Sequence, residues 1–437
     1  MPTPVYTTAQ TTAAFLARLV QKLPIGTNLA LAQVLFCLMA GYLLPSRGAL
    51  IPALFDAGLS PVQTLRAAAA LRQGSWSIHR LLDQLARLIH QDQQALPLQI
   101  GSWQPLLLDW VGFFRPRLRG CCSKHFDSRA GKALPALEWG MIAQPLVAGS
   151  RTFPILKALT RSGDTGTLLR EAARHQRANQ VIVIDRQAKV SHLFGAGIRR
   201  FVVRAAVNAV FYRKQVPPQP PGKRGRKPTH GERVRPLPRT HKGKPLPVTA
   251  PDTVETFIHQ GRHIRAERFE GLMVPHCPLE LSVLVIFDPN HKDPWLLITD
   301  LHQESAEHLF LIYRSRWHIE VLPLTAKQLL GGARSFVHSQ ASRYRLPELC
   351  LLAASLSLYL SALAPAVASG FWDRKPKPTA GRFRRALSGA AMPEFESLEG
   401  VSSRVRQKRS VYGHLPKGVK ANRRYRGQRA TPSVTGK

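Results

Sequence analysis

The stretch SAEHLFLIYRSRWHIEVLPLTAKQLLGG, residues 305–332, decides how the rest of the chain is read. Ser305 is a helix-capping residue type. Leu309, Ile312, Ile319, Leu322, Leu329 and Leu330 recur at three- and four-residue steps, and Gly331-Gly332 end the pattern. The spacing predicts one amphipathic helix. Tyr313, Arg316, Glu320 and Lys327 stand on it, and a step of seven residues falls only about 20° short of two turns. Tyr313, Glu320 and Lys327 then share a face, with Arg316 on the same side one turn along. A carboxylate flanked by cations and a phenol suits a metal held by the acid and phosphates held by the others. A solvated polar face laced with helical ion pairs is the alternative that chemistry alone leaves open.

Two apolar runs upstream end in acids. Pro105-Leu106-Leu107-Leu108-Asp109 reads as a short buried strand, and Val181-Ile182-Val183-Ile184-Asp185 as a strand of β-branched residues. Between them, 138–148 and 151–157 read as a strand pair and 165–178 as a helix, while Phe201-Val202-Val203-Arg204 is a third buried run. Strands first and then alternating helix and strand imply an α/β fold, a mixed sheet with helices on both faces. In such sheets the working groups stand at the carboxyl ends of strands. Taken singly, each aspartate could equally open a turn. No G-x-G-x-x-G precedes Asp185, which removes a dinucleotide-binding reading.

As a set, Asp109, Asp185 and Glu320 are separated by 76 and 135 residues, so only the fold can join them. Three gathered carboxylates repel unless cations neutralise them. Two divalent ions about 3.5–4 Å apart do that, activate a water and stabilise the leaving oxygen of an in-line phosphoryl displacement. Oxygen ligands without His or Cys favour two Mg²⁺, with Mn²⁺ as a substitute, over zinc. Asp127 and Asp300 are the other acids considered for such a set.

The Tyr313, Arg316, Glu320, Lys327 spacing resembles the signature of one branch of bacterial insertion-sequence transposases of the DDE type. Asp185-Arg186 followed by Phe201 and Arg204 is similar to that family's second-acid block. Gly131-Lys132-Ala133-Leu134-Pro135 leading into Trp139-Gly140 is similar to the segment after its first acid. The long interval before Glu320 is similar to its β-rich insertion. Over about 100–365 the resemblance implies a ribonuclease H-like core, metal binding by Asp109, Asp185 and Glu320, and transposon-end phosphate contacts from Tyr313, Arg316 and Lys327. Arg204 is assigned to DNA with them. It implies an enzyme that cleaves the ends of its element, with a hairpin on the flanking or transposon end, and joins the 3′-hydroxyls to target DNA as a homodimer. Trp317 either stacks on a displaced base or packs in the core.

Two residues depart from the family. Trp110 follows the first acid where a small polar residue is usual. Pro323 removes the amide that would bond to the Ile319 carbonyl, a kink that costs about 3 kcal/mol and turns Lys327 off the shared face. These departures keep two alternatives open: a catalytically inactive, transposase-derived DNA-binding protein, and a metal-dependent nuclease without strand transfer.

The composition points to the same partner. The chain has 437 residues, 62 Lys+Arg against 26 Asp+Glu, and a net charge of +36. Such an excess suits a polyanionic partner, nucleic acid before a membrane surface, and the resemblance makes that partner double-stranded DNA. The charge is uneven: +4 for 1–99, +11 for 100–212, +10 for 213–247, −2 for 248–372 and +13 for 373–437. We expect a helical, DNA-binding domain over 1–98, in which the helices opened by Ser60-Pro61 and Ser77 form either a helix-turn-helix reader with Arg80 and Arg87 toward DNA, or plain bundle helices. The first part of the core follows over 99–212, a basic proline-rich loop over 213–247, the β-rich insertion over 248–303, core helices over 304–371 and a basic mobile tail from 372. Within the loop, Lys223-Arg224-Gly225-Arg226-Lys227-Pro228 resembles minor-groove hooks built on Arg224 and Arg226; nonspecific phosphate binding is the alternative. The five cysteines have no metal or disulfide spacing, which fits a reducing cytoplasm, with the protein on the nucleoid. No leader opens the chain. The apolar run 349–364 is read as a buried helix, with no membrane span.

Overall fold

Apolar residues at helical spacing fold the first 92 residues into α1 (Pro4–Val20), α2 (Thr27–Met39), α3 (Leu50–Asp56), α4 (Pro61–Gln73) and α5 (Ile78–Asp92). The computed structural model describes residues 4–115, 123–127, 130–214, 230–334, 336, 337, 339–399 and 401. Arg224, Arg226 and the tail beyond 401 lie outside the described residues. α4 starts in a full capping box: the Ser60 hydroxyl accepts from the Gln63 N–H, the Gln63 side chain accepts from the Ser60 N–H, and Pro61 fills the first turn. Ser77 caps α5 through the Arg80 N–H, and Arg80 and Arg87 are exposed.

The next elements are β1 (Leu96–Pro97), β2 (Gln104–Phe114), β3 (Lys124–Asp127), β4 (Lys132–Ala148), β5 (Arg151–Thr160), α6 (Thr165–His175), β6 (Gln180–Ile184), α7 (Val190–Gly195) and β7 (Phe201–Arg204). After them come β8 (Phe211–Arg213), β9 (Arg233–Val234), a small hairpin of β10 (Thr240–His241) and β11 (Lys244–Pro245), then β12 (Thr253–His259), β13 (Arg262–Val274), β14 (Cys277–Phe287) and β15 (Trp295–Thr299). One large mixed sheet carries most of them, in the order β5-β4-β2-β6-β7-β15-β14-β13. β4 runs antiparallel to both β5 and β2, and β6 and β7 run parallel to β2. From β7 onward the sheet continues antiparallel, so the β-rich insertion extends the same sheet that carries the aspartates.

Alternation along the strands makes two cores. Leu107, Val111 and Phe113 of β2, with Val181 and Val183 of β6, join the N-terminal helices and the helices after β15. Leu106, Leu108, Trp110, Ile182 and Ile184 face α6 and α7. One expectation needs correction. The strand does not stop at Asp109: parallel pairing with β6 ends at Leu107, but antiparallel pairing with β4 continues to Phe114. A partner strand of 17 residues keeps β2 extended past its acid.

The segment 305–332 is also not one helix. It forms α8 (Ala306–Arg314), α9 (Trp317–Leu324) and a π-turn over Thr325–Leu329. At the first break the Arg316 and Ile319 N–H groups bond three residues back, to Tyr313 and Arg316, rather than four, which tightens the turn. At the second, Pro323 has no N–H for the Ile319 carbonyl, and beyond it the Leu330 N–H reaches five residues back to Thr325. The remaining α-helices among the described residues are α10 (Gln340–Leu363) and α11 (Ala380–Ser388), followed by a short 3-10 turn at Phe395–Ser397.

α10 is apolar on all sides, the pattern of a helix wrapped by protein. Among the described residues only this helix is long and apolar enough to cross a membrane, and 89% of its most apolar window is buried. Tyr359 packs on Phe15 of α1 with ring centroids 5.6 Å apart. Arg345 lies over the Trp76 ring and donates to the Leu71 and Trp76 carbonyls.

Candidate active site

The sheet register brings the two aspartates together. Leu107 and Val183 are the last parallel pair between β2 and β6; two residues further along each strand, Asp109 and Asp185 stand level and on the same face. α8 and α9 cross that face. The Tyr313 hydroxyl donates to Asp185 Oδ1 at 3.4 Å and also meets the Arg204 side chain at the end of β7. Arg316, in the turn between the helices, points its guanidinium among the acids: Nη2 is 2.8 Å from Glu320 Oε1 and Nη1 is 3.7 Å from Asp109 Oδ2. Its guanidinium carbon lies 6.0 Å from the Tyr313 ring centroid and 5.6 Å from that of Trp317. Asp109 and Glu320 thus meet on one guanidinium, and Asp185 is near enough to act on its charge.

Burial sets the electrostatics. It pushes the Asp109 carboxyl up to about 6; Glu320 and Asp185 push the same way, against the Trp110 N–H and Arg316. The Trp110 N–H donates to Asp109 Oδ1 at 2.8 Å. Burial also raises the Tyr313 hydroxyl, with Asp185 adding to it. For Arg316 burial works downward, but Tyr313, Asp185, Asp109 and Glu320 outweigh it and hold the guanidinium above its ordinary value. Lys327 is pulled down to about 8 by burial, although Asp127 and Asp109 support its charge. Its ammonium lies 5.3 and 5.8 Å from the ring centroids of Phe113 and Phe114 on β2. The Pro323 break and π-turn therefore leave Lys327 facing the strand that carries Asp109, with aromatic faces as its close neighbours.

Other candidates fall into place one by one. Trp317 is 54% exposed, so the packed-core alternative does not hold for it. Trp110 is buried on the opposite face of β2, across from Gly140, where an added Cβ would come within 2.5 Å of Thr160 Oγ1. The bulky residue after the first acid therefore points away from the site. Asp300 is committed elsewhere: its carboxylate accepts from the Arg200 and Phe201 N–H groups at 2.7 and 2.9 Å. Asp127 ends β3 and accepts from the Ala130 N–H at 3.2 Å. Trp139, in the block after the first acid, is fully buried and its indole N–H donates to Glu348, which Arg161 grips.

The donor set, all carboxylate oxygen, suits a hard divalent cation, and a desolvated Asp109 is a group such a cation would settle. The spacing in this conformation is looser. Among the described residues no three Asp, Glu, His or Cys side chains stand close enough to hold one ion together, and Arg316 sits between Asp109 and Glu320.

No protein-family model and no curated protein matches the chain. Among solved structures it is similar to a piggyBac transposase, in a cryo-EM synaptic complex with hairpin DNA. Identity is 11% and the TM-score 0.37, over 89% of this chain and 77% of that one. A superposition that loose gives no ground for assigning residue roles.

Proposed function

We propose that the chain is a DDE-type transposase, which binds double-stranded DNA as a homodimer on the nucleoid, cleaves the ends of its own insertion sequence and transfers the 3′-hydroxyls to target DNA. The observation that carries this reading is the meeting of Asp109, Asp185 and Glu320 around Arg316 on one face of the sheet. The strand order β5-β4-β2-β6-β7, three strands antiparallel and then two parallel to β2, supports a ribonuclease H-like core. Asp109, Asp185 and Glu320 would hold two Mg²⁺ or Mn²⁺, which when bound supply an activated water and a counter-charge for the leaving oxygen.

The protein's own groups act on the DNA. The Arg316 guanidinium, lying between Asp109 and Glu320, would grip an end phosphate through two parallel N–H bonds. The Tyr313 hydroxyl and Arg204 lie beside it, and the Lys327 ammonium approaches from the Phe113–Phe114 side. Trp317, exposed at the mouth, offers a face on which an unpaired base stacks.

A second reading is a DNA-binding protein without catalysis, favoured by the Arg316 pairings and by the helix break at Pro323. One experiment separates them: DNA carrying the repeats that flank the coding region is incubated with protein and Mg²⁺. Asp185→Asn and Glu320→Gln are expected to abolish cutting and joining while binding stays within about twofold. Undiminished cutting by either variant rejects the reading. Wild-type protein that binds but never nicks establishes the non-catalytic binder, and cutting without a joined product establishes a nuclease.

A further inference from the structure

A second group of cations gathers at the opposite end of the sheet from the acids. α5, β5 and the turn after α6 line a cavity of about 320 Å³, and a second cavity of about 580 Å³ shares part of its wall. Arg87, Lys157 and Arg177, from those three elements, line both. Among the described residues none of the three is ion-paired. Arg174 at the rim is committed to Glu171 at 2.9 Å, and Asp83 is the one acid on the wall of the smaller cavity. Three uncommitted cations therefore face one carboxylate. The crowding is visible at Lys157, whose pKa burial and Arg177 pull down while Asp83 holds it up.

Like charges held around a cavity repel, and an anion between them removes the repulsion. The walls are ordered for one. Gln180 accepts from the Arg177 N–H and donates its own N–H to the Arg177 carbonyl, both at 3.0 Å, which fixes the turn that carries Arg177. The Gln144 amide, buried in the wall, donates to Gln104 at 3.3 Å. Beside Asp83 and the imidazoles of His175 and His90, the polar lining is guanidinium, ammonium and amide, the groups that hold phosphate.

We propose that this cavity binds the backbone phosphates of duplex DNA and anchors the protein without reading sequence. Gln180 opens β6 and Asp185 follows its end, a separation of about 16 Å along the strand. That is the length of about five base pairs. The inference rests only on the DNA-binding half of the function proposed above.

The test uses full-length protein and a duplex of unrelated sequence, with affinity measured across a salt series. A variant carrying Arg87→Gln, Lys157→Met and Arg177→Gln together should bind at least tenfold more weakly. Its plot of log affinity against log salt should be shallower by two to three, at about 0.9 per lost phosphate contact. Arg177→Gln alone, an exposed change that leaves packing intact, should flatten the slope by about one, while Lys292→Gln, distant from the cavity, should change neither quantity. Unaltered slope and affinity in the triple variant overturn the proposal. So does loss of inorganic phosphate binding with DNA binding unaltered, which makes the cavity a site for the free ion. Wild-type protein with Mg²⁺ serves as the independent arm: if it never cuts DNA yet binds through this cavity, the anchor stands and the catalytic reading falls.

Discussion

Asp109→Asn should stabilise the protein at neutral pH, and the gain should vanish in acid. Burial lifts the Asp109 carboxyl from 3.8 to about 6 in the folded state. The folded protein therefore keeps between about pH 4 and 6 a proton that the unfolded chain has released. Stability from this group is greatest below the unfolded value and falls as pH rises through the folded one. Two pKa units at about 1.4 kcal/mol each make the charged carboxylate cost about 3 kcal/mol at pH 7.5. The amide carries no such cost. Urea unfolding of both proteins at pH 4.0 and 7.5, with chelator present, should show the difference between them growing by about that amount in favour of Asn. Other titrating groups are common to both proteins and cancel. Mg²⁺ supplies a second arm: at about a hundred times its dissociation constant it should return about 2.7 kcal/mol to the wild type and little to the variant. A stability difference constant across the pH range would refute the burial argument, and a magnesium response equal in both would refute the metal role.

Lys327→Met should weaken binding to element ends by about 1.5–3 kcal/mol, the worth of a charge-assisted contact. Because burial holds the Lys327 pKa down to about 8, end binding by the wild type should fall between pH 7 and 9. The variant should lose that dependence, and a parallel fall in both would discount Lys327. Pro323→Ala gives the Ile319 carbonyl a donor and should raise stability by about 1–3 kcal/mol; lower stability would mean that the π-turn is the preferred packing. Trp317→Ala, at a position 54% exposed, should move stability by less than about 0.5 kcal/mol. It should weaken binding to DNA with an unpaired base by about 1–3 kcal/mol and leave intact duplex unaffected, which fluorescence titration of the two DNAs will distinguish.

The sequence was most legible where local chemistry decides structure. Ser60-Pro61, Ser77 and Ser305 cap helices as their side chains dictate, and the β-branched run Val181–Ile184 is a fully buried strand. What stayed hidden depends on partners far along the chain. β2 runs past Asp109 because β4 pairs with it to Phe114, and no residue near Asp109 announces that. The break at Ser315-Arg316 has neither glycine nor proline to mark it; the Ser315 hydroxyl bonds to the Ile312 carbonyl at 2.6 Å, within a turn whose Arg316 leaves the helical stripe for the acids. Trp317 follows an apolar rhythm that suggests burial, yet that turn carries it outward. Lys157 and Arg177 belong to no motif, and Arg87, read with Arg80 as a candidate helix-turn-helix contact, joins them only because three separate elements meet.

The wrapping of α10 by the amino-terminal helices bears on any shorter product of the same reading frame. Translation begun at Met39 would lack α1 and nearly all of α2, and with them Phe15, the partner of Tyr359. The exposed surface would belong to α10, whose most apolar 18-residue window has a mean hydropathy of 1.6. Such a fragment would expose an apolar face that α1 and α2 cover in the full-length protein, and would be prone to aggregate.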